Sequence, residues 1–416
     1  MKNRLIFNQL KYSTLKILRS NRKRIEKIIE GVLFSSSTIT SITVIFIIIF
    51  LFKEGIGLFS TKPTEPGYFI AVNKNNPVKK LSSKQIDLIF NQDVTNWQKL
   101  GGSNDSIILF TFNNITSYIS EDSLGANLEF LPQRINKFIE SNNGVIAYFP
   151  DNYKPKDFTG TIIPVSNVKL SEFLTQTKWY PTNQPAAQLG VLPMILGTLW
   201  ISIGAILIAL PLGLATAIYL AEVADKRLRN VLKPLIELLA GIPSVVYGFF
   251  GLVIVVPLVQ KTFGLAVGET ALVGSIILGI MALPTIITIA EDAILTTPKS
   301  LKEASLALGA SRWQTMVRVV IPYAKSGIAA AVILGIGRAV GETMAVLMVS
   351  GNASVIPHSF LQPMRTIPAT IAAELGEAPA GGVHYKALFA LGIILFIITF
   401  GINLAVELVK SKSRRN

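Results

Sequence analysis

Six runs of apolar residues, each about as long as a bilayer's hydrocarbon layer is thick, constrain this chain more than any other feature. A helix needs about 20 such residues to cross a membrane, and the runs fall at 31–52, 192–220, 235–259, 271–290, 327–349 and 387–409. Pro211, Pro243 and Pro284 lie inside them or near their ends, where bundled membrane helices tolerate a kink. With 50% hydrophobic and only 15% charged residues in a 416-residue chain, a soluble surface cannot be covered. The expected class is an α-helical integral membrane protein. There is no cysteine, which excludes disulfides and thiolate metal sites. His358 and His384 have no carboxylate cluster beside them in the sequence, so no histidine-based active site, metal or cofactor is expected.

Lysine and arginine between the runs set an orientation. The first 30 residues hold nine: Lys2, Arg4, Lys11, Lys16, Arg19, Arg22, Lys23, Arg24 and Lys27. This end is therefore expected in the cytoplasm. Alternation then puts 222–234 (Lys226, Arg227, Arg229, Lys233) and 291–326 (Lys299, Lys302, Arg312, Arg318, Lys325) inside, along with a tail carrying Lys410, Lys412, Arg414 and Arg415. The segments 260–270 and 350–386 are poor in basic residues, as external loops should be. The net charge of +14 thus reports cytoplasmic flanks, and nucleic acid is not an expected partner. The first run is too long for a secretory signal and lacks a small-x-small cleavage site, so it reads as an uncleaved anchor. The expected organisation is a basic segment 1–30, a first transmembrane helix 31–52, an extracytoplasmic domain 53–190, a transmembrane domain 191–409 with a cytoplasmic loop 291–326, and a basic tail 410–416.

The segment 53–190 is polar and of mixed pattern. YFIAV (68–72), SIILFTF (106–112) and GVIAYF (144–149) read as strands, and SSKQIDLIF (82–90) as a helix opened by an N-cap serine. The stretch VNKNNPVKKLSSKQIDLIFNQDVTNWQKLGG (72–102), with NNGVIAYFP (142–150), resembles one lobe of the extracytoplasmic phosphate-binding proteins that serve ABC importers. Those proteins carry an arginine and a Ser-Gly-Thr turn that grip the anion, where this chain reads TFNNITSYIS (111–120). The resemblance therefore implies a partial α/β domain with a degenerate site.

Between the fourth and fifth runs lies KEASLALGASRWQTMVRVVIP (302–322). Pro298 can begin a short helix, and Gly309 would break it and let a second helix leave at an angle. This offers a knob for the groove of a soluble partner. The spacing of Glu303, Ala304, Ser305, Gly309 and Ala310, closed by Ile321-Pro322, resembles the "EAA…G" signature of ABC-importer permeases, with Ser305 and Val319 as mild departures. In that family the loop docks on a separate ATPase. No GxxxxGK[ST] phosphate loop occurs in the chain, so ATP hydrolysis falls to a partner and the chain is not expected to be an enzyme.

The fifth run contains GRAVGETMAVLMVSGN (337–352), with two charges four residues apart. Counted from Lys325, Arg338 is 13 residues in, roughly 20 Å at 1.5 Å per residue, near mid-bilayer. A charge there costs about 2.5–3.5 kcal/mol even on lenient scales. Residues four apart share a helix face, so Glu342 is expected to reach Arg338, with Gly335, Gly341 and Ala345 nearby. Two readings stand: a self-neutralising pair that locks packing, or an arginine that offers a fork of donors to an oxyanion on a pathway. Together with AGIPSVVYGFFGL (240–252) and IAAELGEAPAGGVHYKALFALGIILF (371–396), the motif resembles the phosphate-specific ABC permeases of the PstC type over about 192–408. The resemblance implies a substrate pathway at Arg338, Glu342 and Thr343, with Pro243, Ser244 and Tyr247 as gate or packing residues. Glu374 and Glu377 are expected to order an external loop or meet a binding protein.

The fold class expected is thus a six-helix ABC-importer permease, one anchor helix plus a five-helix core, with a small α/β extracytoplasmic insertion. The function implied is half of the translocation pathway of an ATP-driven phosphate importer in a bacterial cell membrane. Its implied partners are a second homologous permease, an ATP-binding cassette ATPase dimer, an extracytoplasmic phosphate-binding protein, phosphate and the lipid bilayer. The alternatives are a permease for molybdate or sulfate, or a membrane sensor with an external ligand domain.

Overall fold

The computed structural model describes residues 2–125 and 127–413, with side chains described at 27, 29–125, 127–405, 407 and 408. The basic residues Lys2, Arg4, Lys11, Lys16, Arg19, Arg22, Lys23 and Arg24, and Lys410, Lys412, Arg414 and Arg415 of the tail, lie outside the described side chains. Two units are distinguished, 1–53 and 54–416. The first is helical, as part of α1 (Lys2–Ile56). Its apolar stretch leaves Leu33, Phe34 and Phe46 exposed, as a helix surrounded by lipid would. The hydroxyls of Thr38, Thr40, Ser41 and Thr43 each donate to the carbonyl four residues back, so they present no unsatisfied donor to hydrocarbon.

The second unit opens with a four-stranded sheet in the order β2-β3-β1-β4. Its strands are β1 (Tyr68–Val72), β2 (Ile108–Thr111), β3 (Val145–Pro150) and β4 (Thr161–Ile162). β1 runs antiparallel to β3 and β4, and β2 runs parallel to β3. Central β3 is buried at Val145–Phe149, which is why VIAYF reads as an unbroken apolar run rather than an alternation. Helix α2 (Ser83–Phe90) starts at the expected Ser82, whose side chain exchanges hydrogen bonds with Gln85 in a capping box. Helix α3 (Leu131–Ser141) buries Leu131, Ile135 and Ile139, four apart on one face. Helix α4 (Leu170–Thr175) and a short hairpin of β5 (Trp179–Tyr180) and β6 (Gln188–Leu189) lead into the membrane helices.

Those helices are α5 (Leu192–Ile218), α6 (Lys226–Gly241), α7 (Ser244–Phe250), α8 (Val256–Phe263), α9 (Ala271–Leu295), α10 (Lys299–Ala307), α11 (Arg312–Thr315), α12 (Ile321–Gly341), α13 (Met344–Val349), α14 (Ile367–Glu374) and α15 (Val383–Ser413). Wide turns at Tyr219–Val223, Gly251–Val255 and Met316–Val320 extend α5 and join α7 to α8 and α11 to α12. Six helical stretches are long and apolar enough to span a bilayer among the described residues: Ile29–Ser60, Leu192–Val223, Ser244–Phe263, Ala271–Leu295, Arg312–Gly341 and Val383–Ala405.

Expected boundaries move at the third, fourth and fifth spans. The third span begins at Ser244, not at 235, because Pro243 forces Ile242 out of the helical region (φ −70°, ψ 127°). The apolar residues before it belong to α6, where Leu235 and Leu238 are exposed. The fourth span continues past 290 to Leu295, carrying Glu291 inside the helix. The fifth starts at Arg312 and stops at Gly341, and Met344–Val349 is a separate helix.

Helices α5, α9 and α12 cross closely at small residues, as membrane bundles require. A Cβ at Gly327 would lie 2.3 Å from the Ala293 Cβ, and one at Gly335 would lie 2.9 Å from Ile286. Leu58, Phe173, Trp179 and Leu189 share one apolar core with Ile367 and Leu391, so the α/β insertion is built onto the bundle rather than tethered to it.

Candidate functional site

Arg338 occupies the last turn of α12, where the negative end of the helix dipole favours a cation. Gly335 lets α12 lie against Ile286 of α9. Arg338, three residues on and on the same face, then reaches the neighbouring Thr285, whose Oγ1 is 3.4 Å from Nη1. Thr285 is 14 residues into α9, roughly 21 Å along a helix of 25 residues. The guanidinium thus sits beside the middle of a membrane helix.

The expected pair with Glu342 does not form. Gly341 ends α12, Glu342 is extended (φ −70°, ψ 133°), and Thr343 precedes α13. Its hydroxyl donates to the Gly341 carbonyl at 3.3 Å, a local bond that takes over a group the helix end leaves free. Glu342 is therefore not on the Arg338 face, and among the described residues no carboxylate lies within ion-pair distance of Arg338. A Cβ at Gly341 would meet nothing within 4 Å, so the break opens onto free space. Ala345 lies on α13, close to Gly248, and not with Gly335.

Pro243 opens α7, and Ser244 is its first residue, half-buried. Tyr247 is buried and donates its hydroxyl to the Leu239 carbonyl of α6 at 2.8 Å. It also lies within electrostatic reach of Arg338. Gly248 and Gly251 admit α13: their Cβ atoms would fall 2.7 Å from Met348 and 2.8 Å from Val349. Tyr247 thus joins the α6–α7 turn to the Arg338 region, while Thr285 is a contributor that only its polarity in an apolar run would have flagged.

The loop motif forms the expected helix-turn-helix. Helix α10 begins after Pro298 and buries no residue. Gly309 takes a left-handed φ of +87°, which a side chain would strain. Ser311 and Gln314 then make a capping box that starts the helix leading into the fifth span. Ser305 meets Thr315 at 2.9 Å, and Lys302 pairs with Glu222, so one side of α10 is held. Glu303 and Ala304 are exposed and Ala310 is half-buried. Leu308 and Trp313 stand 89% and 68% exposed, a large apolar surface for a loop.

At the opposite ends of the helices, Glu374 receives Arg365 Nη1 at 2.6 Å, Trp179 Nε1 at 3.0 Å and faces His384 Nε2 at 2.9 Å. His384 therefore does have a carboxylate partner, ten residues away in sequence. Burial acts to raise the Glu374 carboxyl, but hydrogen bonds from His384 and Trp179 and the Arg365 charge outweigh it and hold it below its ordinary value. Glu374 orders this loop and joins it to the insertion. Glu377 is exposed beside it. Glu374→Gln should cost about 1–3 kcal/mol by leaving buried donors poorly met. A lowered folded-state value means that the contribution is present above the unfolded value of about 4.3 and is lost as pH falls through the folded one. Thermal unfolding should therefore separate mutant from parent at about pH 7, and the separation should shrink as acid carries the pH below the unfolded value.

In the insertion, Trp97 is fully buried and donates to the Gly144 carbonyl at 2.9 Å, with Gly101 in the left-handed turn that follows (φ +81°). After β2, Asn114 accepts from the Thr111 amide at 2.7 Å and donates to the Leu109 carbonyl at 2.9 Å. The amide at the end of β2 is thus spent within the loop.

A sequence model of binding-protein-dependent transport system inner membrane components matches residues 209–415, and one of the PBP superfamily domain matches 66–198. The probable ABC transporter permease protein YqgH of Bacillus subtilis (strain 168) is 42% identical over 250 residues, 60% of this chain and 81% of its own. The phosphate transport system permease protein PstC of Mesorhizobium japonicum is 42% identical over 247 residues, 55% of this chain and 74% of its own. An inward-facing structure of the MetNI methionine ABC transporter aligns with a TM-score of 0.41 at 20% identity, covering 53% of this chain and 95% of that one. The family model and the YqgH and PstC relatives identify the chain as a member of the binding-protein-dependent transport system inner membrane components, among the ABC permeases of the PstC type.

Proposed function

We propose that this chain is the permease subunit that forms half of the pathway of an ATP-driven phosphate importer. The observation that carries this reading is Arg338: a cation at the break of a membrane helix, beside mid-α9, with no carboxylate among the described residues to neutralise it and open space at Gly341. A guanidinium so placed has donors free for a tetrahedral oxyanion. Relatives named as phosphate transport permeases support phosphate as that anion. Glu342 and Thr343 flank the break, Glu342 limiting how long an anion is held and Thr343 keeping the break open. Pro243, Ser244 and Tyr247 serve as a gate or its packing.

The chain, a permease, leaves ATP hydrolysis to a partner. Glu303, Ala304, Ser305, Gly309 and Ala310 form the dock for an ABC ATPase dimer, and a second homologous permease completes the pathway. The basic segments support termini in a bacterial cytoplasm and an insertion (53–190) outside, where a phosphate-binding protein delivers its cargo. The spent Thr111 amide and the lack of arginine beside it support an insertion that grips no anion itself. Uptake of radiolabelled phosphate by vesicles holding the complete transporter tests the reading. Unlabelled phosphate should compete and excess sulfate or molybdate should not; competition by either would reassign the substrate.

A further inference from the structure

Glu291 is the only ionisable side chain among the described residues that is fully buried, at 1% exposure. A buried charge in a membrane helix is retained only with partners, and both come from α6. Arg229 holds Oε1 at 2.7 Å through Nη2 and at 2.9 Å through Nε, and Lys233 Nζ lies 3.3 Å from Oε2. The two cations are four residues apart on α6 and so share the face turned to α9. Helix α6 has no fully buried residue, so these ion pairs hold it to α9 together with the packing of half-buried Leu232 and Ile236.

The turn before this helix and its own last turn both reach functional elements. Ahead of its first turn, Glu222 pairs with Lys302 of α10, the docking helix. At its last turn the Leu239 carbonyl accepts from Tyr247, which borders the Arg338 break. Glu291 itself lies eight residues before α10 begins at Lys299. The docking loop is thus linked through the backbone to α6 and from its last turn to Tyr247, which shares an apolar core with Ala339 beside Arg338, and Glu291 pins the middle of α6 to α9.

We propose that Glu291 is a positioning residue for transport: its ion pairs with Arg229 and Lys233 make α6 the element that carries motion of the docking helix to the Arg338 break. This rests on the transporter reading above. Because the chain has no cysteine, Gly341→Cys provides a single reporter at the open break. Its reaction with a membrane-impermeant maleimide, with and without ATP, reads the state of the site in the assembled transporter. In the otherwise unaltered chain the rate should change with ATP; if it does not, the transporter reading fails. With Glu291→Gln added, ATP hydrolysis should persist while the nucleotide-dependent change in labelling shrinks by about fivefold or more, the lower end of coupling between sites. Phosphate moved per ATP should fall in step. An unchanged labelling response in Glu291→Gln overturns the proposal. Should that variant fail to assemble, Lys233→Gln leaves the Arg229 pair in place and reads the same quantity: a weakened response supports the proposal and an unchanged one overturns it.

Discussion

Arg338→Ala should abolish phosphate uptake while the transporter still assembles. The two halves of this outcome follow from different terms. Arg338 has one long contact, 3.4 Å to Thr285, and no carboxylate partner among the described residues. Removing it therefore breaks no structural pair, and it relieves a charge that costs about 2.5–3.5 kcal/mol at the centre of a membrane helix. Assembly and thermal stability should hold or improve. Transport loses a fork of donors, and two charge-assisted hydrogen bonds at about 1.5–3 kcal/mol each correspond to on the order of a hundredfold or more in rate. Arg338→Lys, which keeps the charge but not the bidentate fork, should retain a measurable fraction. Normal phosphate uptake by the alanine variant, in vesicles with verified subunit stoichiometry, would remove Arg338 from the pathway.

That contrast depends on a feature the sequence hides. Spacing of four places Arg338 and Glu342 on one face only if the helix continues, and no hydropathy window registers that Gly341 ends it. The break comes from backbone terms: a glycine, a threonine whose hydroxyl claims the Gly341 carbonyl, and an α13 that packs on Gly248 and Gly251. The third span shows the same blindness, since 235–241 is as apolar as a membrane run yet lies on amphipathic α6. The signal there was Ile242-Pro243, which local sterics make a helix boundary. Features set by short-range chemistry were readable: the Ser82 cap, the Gly309 turn and the buried run of β3. Glu291 and the Glu374–His384 contact were not, because their partners lie on other elements and only the fold brings them together. Glu291 reads from sequence as the first residue of a polar loop, whereas α9 carries it inside the protein for another turn.

The proposed docking loop permits the sharpest separation of folding from partner binding. Gly309→Trp should cut association with the ATPase by at least about thirtyfold, the scale of a lost interface anchor of roughly 2 kcal/mol. Gly309 is left-handed, at φ +87°, and a Cβ there would meet nothing within 4 Å. A Cβ there thus meets no part of the chain, and the expected internal cost is the backbone strain of about 1–2 kcal/mol for a non-glycine residue in that region. Helix α10 ends before it and α11 is started by its own capping box, so both helices should persist. Gly309→Ala separates the two effects, since it carries most of the strain and little of the bulk. If strain alone mattered, the alanine and tryptophan variants would lose the ATPase equally. If the loop is the dock, alanine should retain most of the binding and tryptophan lose it, and Leu308→Asp, at a side chain 89% exposed, should lose it with no strain at all. Co-purification of the ATPase with each variant, beside thermal unfolding of the permease alone, measures both quantities. Intact association in Gly309→Trp and Leu308→Asp together would place the dock elsewhere on the cytoplasmic face.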